Sequence, residues 1–332
     1  MEKHLIATYE KYAREPVLRR MKDGTLICLC LTGGEKEPAN DNVVKITRSF
    51  DDGVTWSEPE VLFSHSSRAC WSTEVFTECD KPFAIVQTYY APSHYREIQT
   101  FRSYCNEDGS VWSEPVSIPG TVTGCSVRQG IRLSNGEILF PLYWQETRNN
   151  FDWGNPEKAV SPKKWPFVVG VGISTDGGES FFRHGYISVP DGSKVWEPNA
   201  VELSPGHLIM YMRCSGALAG CLYVSESFDY GRTWTAAEPT ELLNADTKVT
   251  LLKVRDKVVL INNFDIKYRK HLSIAVSTDG KNFEKVAEVE DGLESWYYPH
   301  AFADDARELL YVAYENKHEH WLKKYSYAEL GI

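Results

Sequence analysis

A chain of 332 residues, 42% of them hydrophobic and 13% aromatic, can bury a large core, which argues against an intrinsically disordered protein. The net charge of -10 argues against a broad surface for nucleic acid or an anionic membrane, so an anionic ligand would need a local basic pocket. The opening residues, MEKHLIATYEKYAREP, lack the apolar core of a signal peptide, and no run of about 18 or more apolar residues follows. We therefore expect a soluble, cytoplasmic protein with neither nucleic-acid nor membrane partners.

The cysteines indicate a reducing environment. The eight residues of this type show neither CxxC pairs nor the spacing of zinc ligands. Because free cysteine is usually buried, we expect reduced, mostly buried thiols and no metal site.

Six segments along the chain each place an apolar run after a polar or turn-like start. They are 23–31 (DGTLICLCL), 81–89 (KPFAIVQTY), 135–143 (NGEILFPLY), 205–213 (PGHLIMYMR), 255–263 (RDKVVLINN) and 306–314 (ARELLYVAY). Such runs of about eight residues predict buried strands. Their starts lie 50 to 70 residues apart, close to the length of a four-stranded propeller blade. The longest interval contains the polar segment 145–166, which we interpret as a loop insertion.

A second repeat, which we call the Asp box, lies between these runs. Its copies are 49–56 (SFDDGVTW), 174–181 (STDGGESF), 227–234 (SFDYGRTW), the weaker 105–112 (CNEDGSVW, with Glu107, Gly109 and Trp112) and the shorter 277–283 (STDGKNF). Asp accepts backbone N–H bonds in a tight turn, Gly takes the positive φ, and the aromatic residue covers the hairpin. Five copies predict a structural turn. Calcium ligation is the alternative, although an EF-hand loop would need more acidic positions.

These two repeats together predict the fold. Six strand units with five boxes indicate an all-β protein, a six-bladed β-propeller of four-stranded antiparallel blades that forms one domain over 1–332. The sixth blade has no box, and we expect the N-terminal segment to supply its missing strand and close the ring.

Asp boxes on a six-bladed pattern resemble the sialidase (neuraminidase) superfamily, and their wording is similar to its BNR-repeat-like branch. The resemblance covers nearly the whole chain. It implies an exo-glycosidase that hydrolyses a terminal acidic sugar, sialic acid or a related one, so the partner would be a carbohydrate. It also implies three arginines for the sugar's carboxylate, a tyrosine nucleophile activated by a glutamate, and no metal or organic cofactor.

The elements of such a site have matches here in the family's order. Arg14, in an R-x-P motif, resembles the first arginine, and Arg213 and Arg269 resemble the second and third. Glu197 precedes Arg213 as the family's glutamate precedes its second arginine. Tyr298, before the last strand, resembles the nucleophile.

Three positions near this set leave alternatives open. Tyr297 is the second choice for the nucleophile. For the general acid, the loop GGEKEPANDNVV offers Asp41, which the resemblance prefers, and Glu37. Glu15 departs from the family motif, which has an apolar residue between Arg and Pro, and an acid there could neutralise the neighbouring arginine.

Further residues could shape the pocket. Arg128 and Gln129, in RQGIRLSNGEILFP, resemble a segment that lies near the substrate. The aromatic candidates for stacking on a sugar are Trp71, Tyr89, Tyr90, His94 and Tyr95, although most aromatic residues in such a protein serve packing.

Two other function classes stay open. A glycosidase or lyase acting on another acidic sugar, such as a uronate, could use the same arginines with different acid and base groups, among them His300. A non-catalytic carbohydrate-binding propeller would keep the pocket without contact between Tyr298 and Glu197, since Asp boxes also occur in propellers that are not sialidases. Glu197 could equally pair with Arg213 to stabilise adjacent strands.

Overall fold

The computed structural model describes residues 2–93, 97–145, 167–216 and 220–332, and these residues form an all-β six-bladed propeller. The strands within each blade pair in antiparallel fashion, as predicted. The predicted loop insertion at 145–166 lies outside the described residues, apart from Gln145, which ends a strand. The extent of the domain stays a prediction.

The first three blades follow one another along the chain after strand β1 (Lys3–Thr8). Blade 1 consists of β2 (Arg14–Arg20), β3 (Leu26–Thr32), β4 (Val43–Ser49) and β5 (Glu60–Phe63). Blade 2 consists of β6 (Ala69–Phe76), β7 (Phe83–Tyr89), β8 (Gln99–Tyr104) and β9 (Val116–Ser117), with a 3-10 turn at Ala91–Ser93. Blade 3 consists of β10 (Ser126–Val127) and β11 (Ile131–Arg132), both paired with β12 (Ile138–Gln145), and of β13 (Phe167–Ser174) and β14 (Phe182–His184).

The remaining three blades complete the ring. Blade 4 consists of β15 (Lys194–Ser204), β16 (His207–Ser215), β17 (Gly220–Ser227) and β18 (Glu238–Asn244). Blade 5 consists of β19 (Thr250–Val254), β20 (Lys257–Asn263), β21 (Leu272–Ser277) and β22 (Glu284–Glu288). Blade 6 consists of β23 (Tyr297–Asp304), β24 (Leu309–Glu315), β25 (Glu319–Ser326) and β1, and helix α1 (Tyr327–Leu330) follows. Each of the six predicted apolar runs overlaps the strand that lies second in the pairing order of its blade.

The core lies between neighbouring blades. Each neighbouring pair of blades shares an apolar cluster; Leu139 and Val171 of blade 3, for example, pack against Leu208 and Met210 of blade 4. These four side chains are fully buried, and burying one such side chain stabilises the fold by about 1.5–3 kcal/mol. All eight cysteines are free thiols, and five of them are buried, as expected.

The N-terminal strand closes the ring, which confirms the prediction. β1 pairs antiparallel with β25 as the fourth strand of blade 6. The ammonium of Lys3 lies 4.1 Å from the ring centre of Trp296 and 4.4 Å from that of Trp321, and it forms a 2.8 Å ion pair with Glu290. Cation–π contact and ion pairing therefore hold the first strand to the last blade.

The Asp boxes are turns between the last two strands, in chain order, of blades 1 to 5. In the first box, Ser49 Oγ accepts from Gly53 N at 2.7 Å, and Asp51 Oδ1 accepts from Thr55 N at 2.8 Å. The same bonds recur in the boxes at 174–181 and 227–234. The structural interpretation is therefore confirmed.

One detail of the second box differs from the sequence alignment. Asn106 Oδ1, and not Glu107, accepts the corresponding bond, from Val111 N at 3.0 Å, and Asp108 Oδ1 accepts from Ser110 N at 2.9 Å. Glu107 instead pairs with Lys22. The shorter aspartate carboxylate reaches the nearby backbone N–H, whereas the glutamate extends to a neighbouring turn.

Candidate functional site

The first strands of blades 1, 4 and 6, which are β2, β15 and β23, begin with the same irregularity. The pairing of each with the next strand skips one residue, which is a β-bulge. A bulge re-aims a side chain, and proline fits there because it has no N–H to lose from the ladder. Positive φ in a non-glycine residue is strained and often marks a functional site. The bulged residues are Glu15 (φ 55°), Glu197 (46°) and Tyr298 (51°), followed by Pro16, Pro198 and Pro299.

All three bulged side chains meet at one cavity of about 190 Å³. Among the described residues its lining consists of three arginines, three glutamates and six aromatic residues. They are Arg14, Arg213, Arg269, Glu15, Glu37, Glu197, Tyr12, Trp71, Tyr143, Phe167, Trp196 and Tyr298. The structure thus brings together the three predicted arginines, the predicted tyrosine and the predicted glutamate.

Arg213 connects the charged groups of this cavity. Its Nε donates to Asp246 Oδ1 at 2.5 Å, and its Nη1 donates both to Glu197 Oε2 at 2.8 Å and to Tyr298 Oη at 3.1 Å. Its guanidinium carbon lies 4.2 Å from the ring centre of Trp196. Burial would lower the pKa of Arg213, but Glu197 and Tyr298 beside it raise that pKa, so the guanidinium is charged. Glu197 and Tyr298 are held side by side through one nitrogen.

The other two arginines lie around the ring of Tyr298. The guanidinium carbon of Arg14 is 4.6 Å from that ring centre, and the guanidinium carbon of Arg269 is 5.4 Å from it. The Nε of Arg14 lies 3.5 Å from Glu315 Oε1 and 3.9 Å from Glu37 Oε2. Three guanidinium groups that converge on one small cavity can bind a carboxylate through paired, charge-assisted hydrogen bonds.

The protonation states of the central pair place a proton donor, the tyrosine, beside a proton acceptor, the glutamate. Burial and the neighbouring Glu197 raise the pKa of Tyr298, so the phenol is neutral. Burial alone would raise the pKa of Glu197, but Arg213 and Arg128 lower it, so the carboxylate is ionised. Tyr297, the alternative nucleophile, is buried and does not line the cavity.

Glu37, and not Asp41, lines the cavity. Asn42 folds the loop between β3 and β4: its Oδ1 accepts from Ala39 N at 2.8 Å, and its Nδ2 donates to Lys36 O at 3.2 Å. This turn brings the Glu37 side chain, 13% exposed, over the cavity and leaves Asp41 exposed at the surface. The preference for Asp41 that the resemblance implied therefore has no support in the position of that side chain.

Arg128 and Gln129 lie in different places. Arg128 is buried behind the cavity wall, where Nη1 and Nη2 each lie 3.4 Å from a carboxylate oxygen of Glu15. Glu15 therefore pairs with Arg128 and not with the preceding Arg14, contrary to the expected neutralisation. Gln129 lines a separate cavity of about 1,040 Å³ and donates to Ala301 O at 3.2 Å, so the structure does not bring it to the site.

Of the other candidates, only Trp71 lines the cavity among the described residues. His300 is buried elsewhere, its Nδ1 accepts from Leu18 N at 3.2 Å, and burial lowers its pKa. Tyr89 is fully buried. His94 and Tyr95 lie outside the described residues.

Sequence reasoning missed two buried ionisable groups beside the cavity. The ammonium of Lys248 lies 5.8 Å from the ring centre of Tyr298, and burial lowers its pKa to about 8. Burial raises the pKa of Glu315 to about 8, although Arg14 beside it favours the ionised form. No motif marks either residue, whereas the triplets Arg-Glu-Pro, Trp-Glu-Pro and Tyr-Tyr-Pro would have signalled the three bulges.

The described residues contain no group of three or more His, Cys, Asp or Glu side chains that could hold a metal ion. In the same part of the chain, no helix combines the length and the apolar character needed to cross a membrane.

Comparison with known proteins agrees with this architecture. The model of the BNR repeat-like domain matches residues 24–327. A protein of unknown function from Dyadobacter fermentans has a TM-score of 0.76 and 16% identity, with 97% of each chain covered. The K499G mutant of NanB sialidase from Streptococcus pneumoniae has a TM-score of 0.74 and 13% identity, with 98% of this chain and 71% of that chain covered.

A leech intramolecular trans-sialidase, complexed with 2,7-anhydro-Neu5Ac, is similar at a TM-score of 0.72 and 14% identity, with 98% of this chain and 69% of that chain covered. No functionally curated protein matches the chain in sequence. At such identities the likeness to solved structures demonstrates the fold, while the match over residues 24–327 demonstrates the family. The chain belongs to the BNR repeat-like family and has the six-bladed propeller fold of the sialidases.

Proposed function

We propose that the protein hydrolyses the glycosidic bond of a terminal acidic sugar, a sialic acid or a related acid such as a uronate. The observation that carries this proposal is the meeting of three arginines with a tyrosine and a glutamate that share one guanidinium nitrogen. The arginines Arg14, Arg213 and Arg269 bind the carboxylate of the sugar and fix its orientation.

In the first step the phenol oxygen of Tyr298 attacks the anomeric carbon and the bond to the leaving oxygen breaks. Glu197 takes the phenol proton, and Glu37 gives a proton to the leaving oxygen. A neutral phenol approaches this anionic sugar without the repulsion that a carboxylate nucleophile would meet. The positively charged arginines stabilise the negatively charged groups of the transition state.

In the second step water attacks the anomeric carbon of the glycosyl-enzyme. Glu37 takes a proton from the water, the bond to Tyr298 breaks, and Glu197 returns the phenol proton. The two displacements on one carbon retain its configuration.

The test is the release of 4-methylumbelliferone from its glycosides with N-acetylneuraminic acid and with glucuronic acid. Tyr298→Phe keeps the ring and removes the nucleophile, so we expect kcat to fall by at least about 10³-fold. Tyr297→Phe is the matched control and should keep its activity. Equal activity of both variants would refute the role of Tyr298. Binding of acidic sugars without turnover in any form would favour a carbohydrate-binding propeller.

A further inference from the structure

Glu15 is the third bulged residue of the cavity, and the proposed reaction does not use it. Its strained φ of 55° and the proline that follows match those of Glu197 and Tyr298. Its side chain is 4% exposed and lines the cavity. A carboxylate is costly to bury, so its presence at this point calls for partners and for a role.

The partners of Glu15 come from blades 2 and 3. Trp71 Nε1 donates to Oε2 at 2.8 Å, and the two terminal nitrogens of Arg128 lie 3.4 Å from the two oxygens. Burial would lower the pKa of Arg128, but the Glu15 carboxylate raises it, so the pair is ionic. Among the hydrogen bonds of the described residues, Oε1 receives only the long 3.4 Å contact, and a carboxylate oxygen can accept more than one bond. Oε1 therefore retains acceptor capacity at the cavity wall.

The cavity lining thus has two chemically different parts. Arg213 and Arg269 of blades 4 and 5, with Arg14 of blade 1, form the part that attracts an anion. Glu15, which Trp71 and Arg128 of blades 2 and 3 hold, adds a hydrogen-bond acceptor to the lining. A ligand that contacts both parts carries a carboxylate and, at a different position, a hydrogen-bond donor.

We propose that Glu15 is a specificity-determining residue that selects acidic sugars with a hydroxyl group over those with an acylamino group at the position facing it. This proposal rests on the proposed function, because it assumes that the sugar's carboxylate lies on the arginines. A hydroxyl group donates to Oε1 and occupies little space. An acylamino group offers one N–H but brings its carbonyl oxygen towards a carboxylate.

The small volume of the cavity also favours the sugar with a hydroxyl group over the one with an acylamino group. Its volume of about 190 Å³ is below the range of about 300–1,000 Å³ that is usual for small-molecule pockets. Sites built to bond a hydroxyl group discriminate strongly, because an unsatisfied buried acceptor is costly.

The experiment is isothermal titration of the full chain with two free sugars. One is N-acetylneuraminic acid, and the other is its deaminated analogue, in which a hydroxyl group replaces the acetamido group while the carboxylate and ring are kept. We expect the hydroxyl analogue to bind the wild-type protein at least about 10-fold more tightly, as one lost charge-assisted hydrogen bond would give.

Variants of Glu15 and Arg128 test whether this preference depends on Glu15. Glu15→Leu combined with Arg128→Met removes both partners, which avoids a lone buried charge, and should abolish the preference. Glu15→Gln, which keeps the size, should weaken it if the double variant does not fold. The matched control replaces another buried pair of the inner strands, Arg19→Met with Glu74→Leu, whose ions lie 2.6 Å apart, and should keep the preference.

The outcomes separate this inference from the proposed function. Equal or tighter binding of the acetamido sugar to the wild-type protein would overturn the inference and leave the proposed function standing. A preference that persists in the Glu15 variants would also overturn it. Binding of neither sugar by the folded wild-type protein would overturn the inference and, for sialic acids, the proposed function.

Discussion

Replacing Glu315 by glutamine should make the protein more stable at alkaline pH. Glu315 is 0% exposed; its Oε2 accepts from Lys317 N at 2.9 Å, and its Oε1 lies 3.5 Å from Arg14 Nε. Burial raises the pKa of this carboxyl from 4.5 to about 8. Glutamine has the same shape and can accept the same backbone bond, but it never ionises.

The sign and size of the effect follow from proton linkage. Below pH 4.5 both the folded and the unfolded chain carry the proton on Glu315. Between 4.5 and 8 the unfolded chain releases this proton and the folded chain keeps it, so the free energy of unfolding falls as the pH rises. At about 1.4 kcal/mol per pKa unit, the ceiling for this loss is about 5 kcal/mol. The glutamine variant avoids the loss.

The assay is urea unfolding of the wild-type protein and Glu315→Gln at pH 5 and pH 9. We expect the difference in unfolding free energy to shift by about 2–4 kcal/mol in favour of the variant between pH 5 and pH 9. Glu290→Gln is the control, because the ion pair with Lys3 and the bond from Tyr314 lower the pKa of Glu290, although burial would raise it. The loss of unfolding free energy that Glu290→Gln causes should be the same at both pH values. A Glu315→Gln difference that does not change with pH would refute the reasoning.

Two more predictions concern the acid and the ring closure. Glu37→Gln should lower kcat on a glycoside with a poor leaving group by about 10²-fold or more, whereas Asp41→Asn should leave it unchanged; the reverse order would restore Asp41 as the acid. Lys3→Met should lower the free energy of unfolding by about 1–2 kcal/mol in thermal or urea unfolding, because it loses the contact with two tryptophans. Lys22→Met, at an exposed lysine, is its control, and equal effects would contradict a special role of Lys3 in closure.

The propeller could be predicted because its signals are local and repeated. Apolar runs such as 257–263 are buried on both faces between blades, so they stand out without knowledge of their partners. Box residues such as Asp51 bind their own turn, so their role follows from short spacing. The N-terminal strand was predictable because the sixth blade lacked a strand.

The site could be predicted where the chain keeps the family's order of residues. Arg14, Glu197, Arg213, Arg269 and Tyr298 follow that order, and the structure places all five at the cavity. The choice between Glu37 and Asp41 depends on how Asn42 folds a loop, which no local pattern encodes.

Contacts between side chains of different blades could also not be predicted from the sequence. The pairing of Glu15 with Arg128 joins residues 113 positions apart, and their contact depends on the curvature of the whole ring. Gln129 follows Arg128 directly but reaches a different cavity. Adjacency in sequence therefore did not identify which of the two serves the site.

The most direct test of the central claim compares each acidic 4-methylumbelliferyl glycoside with its methyl ester. The ester keeps the sugar and the leaving group but removes the negative charge that the arginines Arg14, Arg213 and Arg269 would bind. We predict turnover of the sialoside or the uronide, with kcat/KM for the corresponding ester lower by at least about 10-fold, as the loss of one or more charge-assisted hydrogen bonds requires. Hydrolysis of the ester at the rate of the acid, or no hydrolysis of either acid, would contradict the assignment of this cavity as an acidic-sugar hydrolase site.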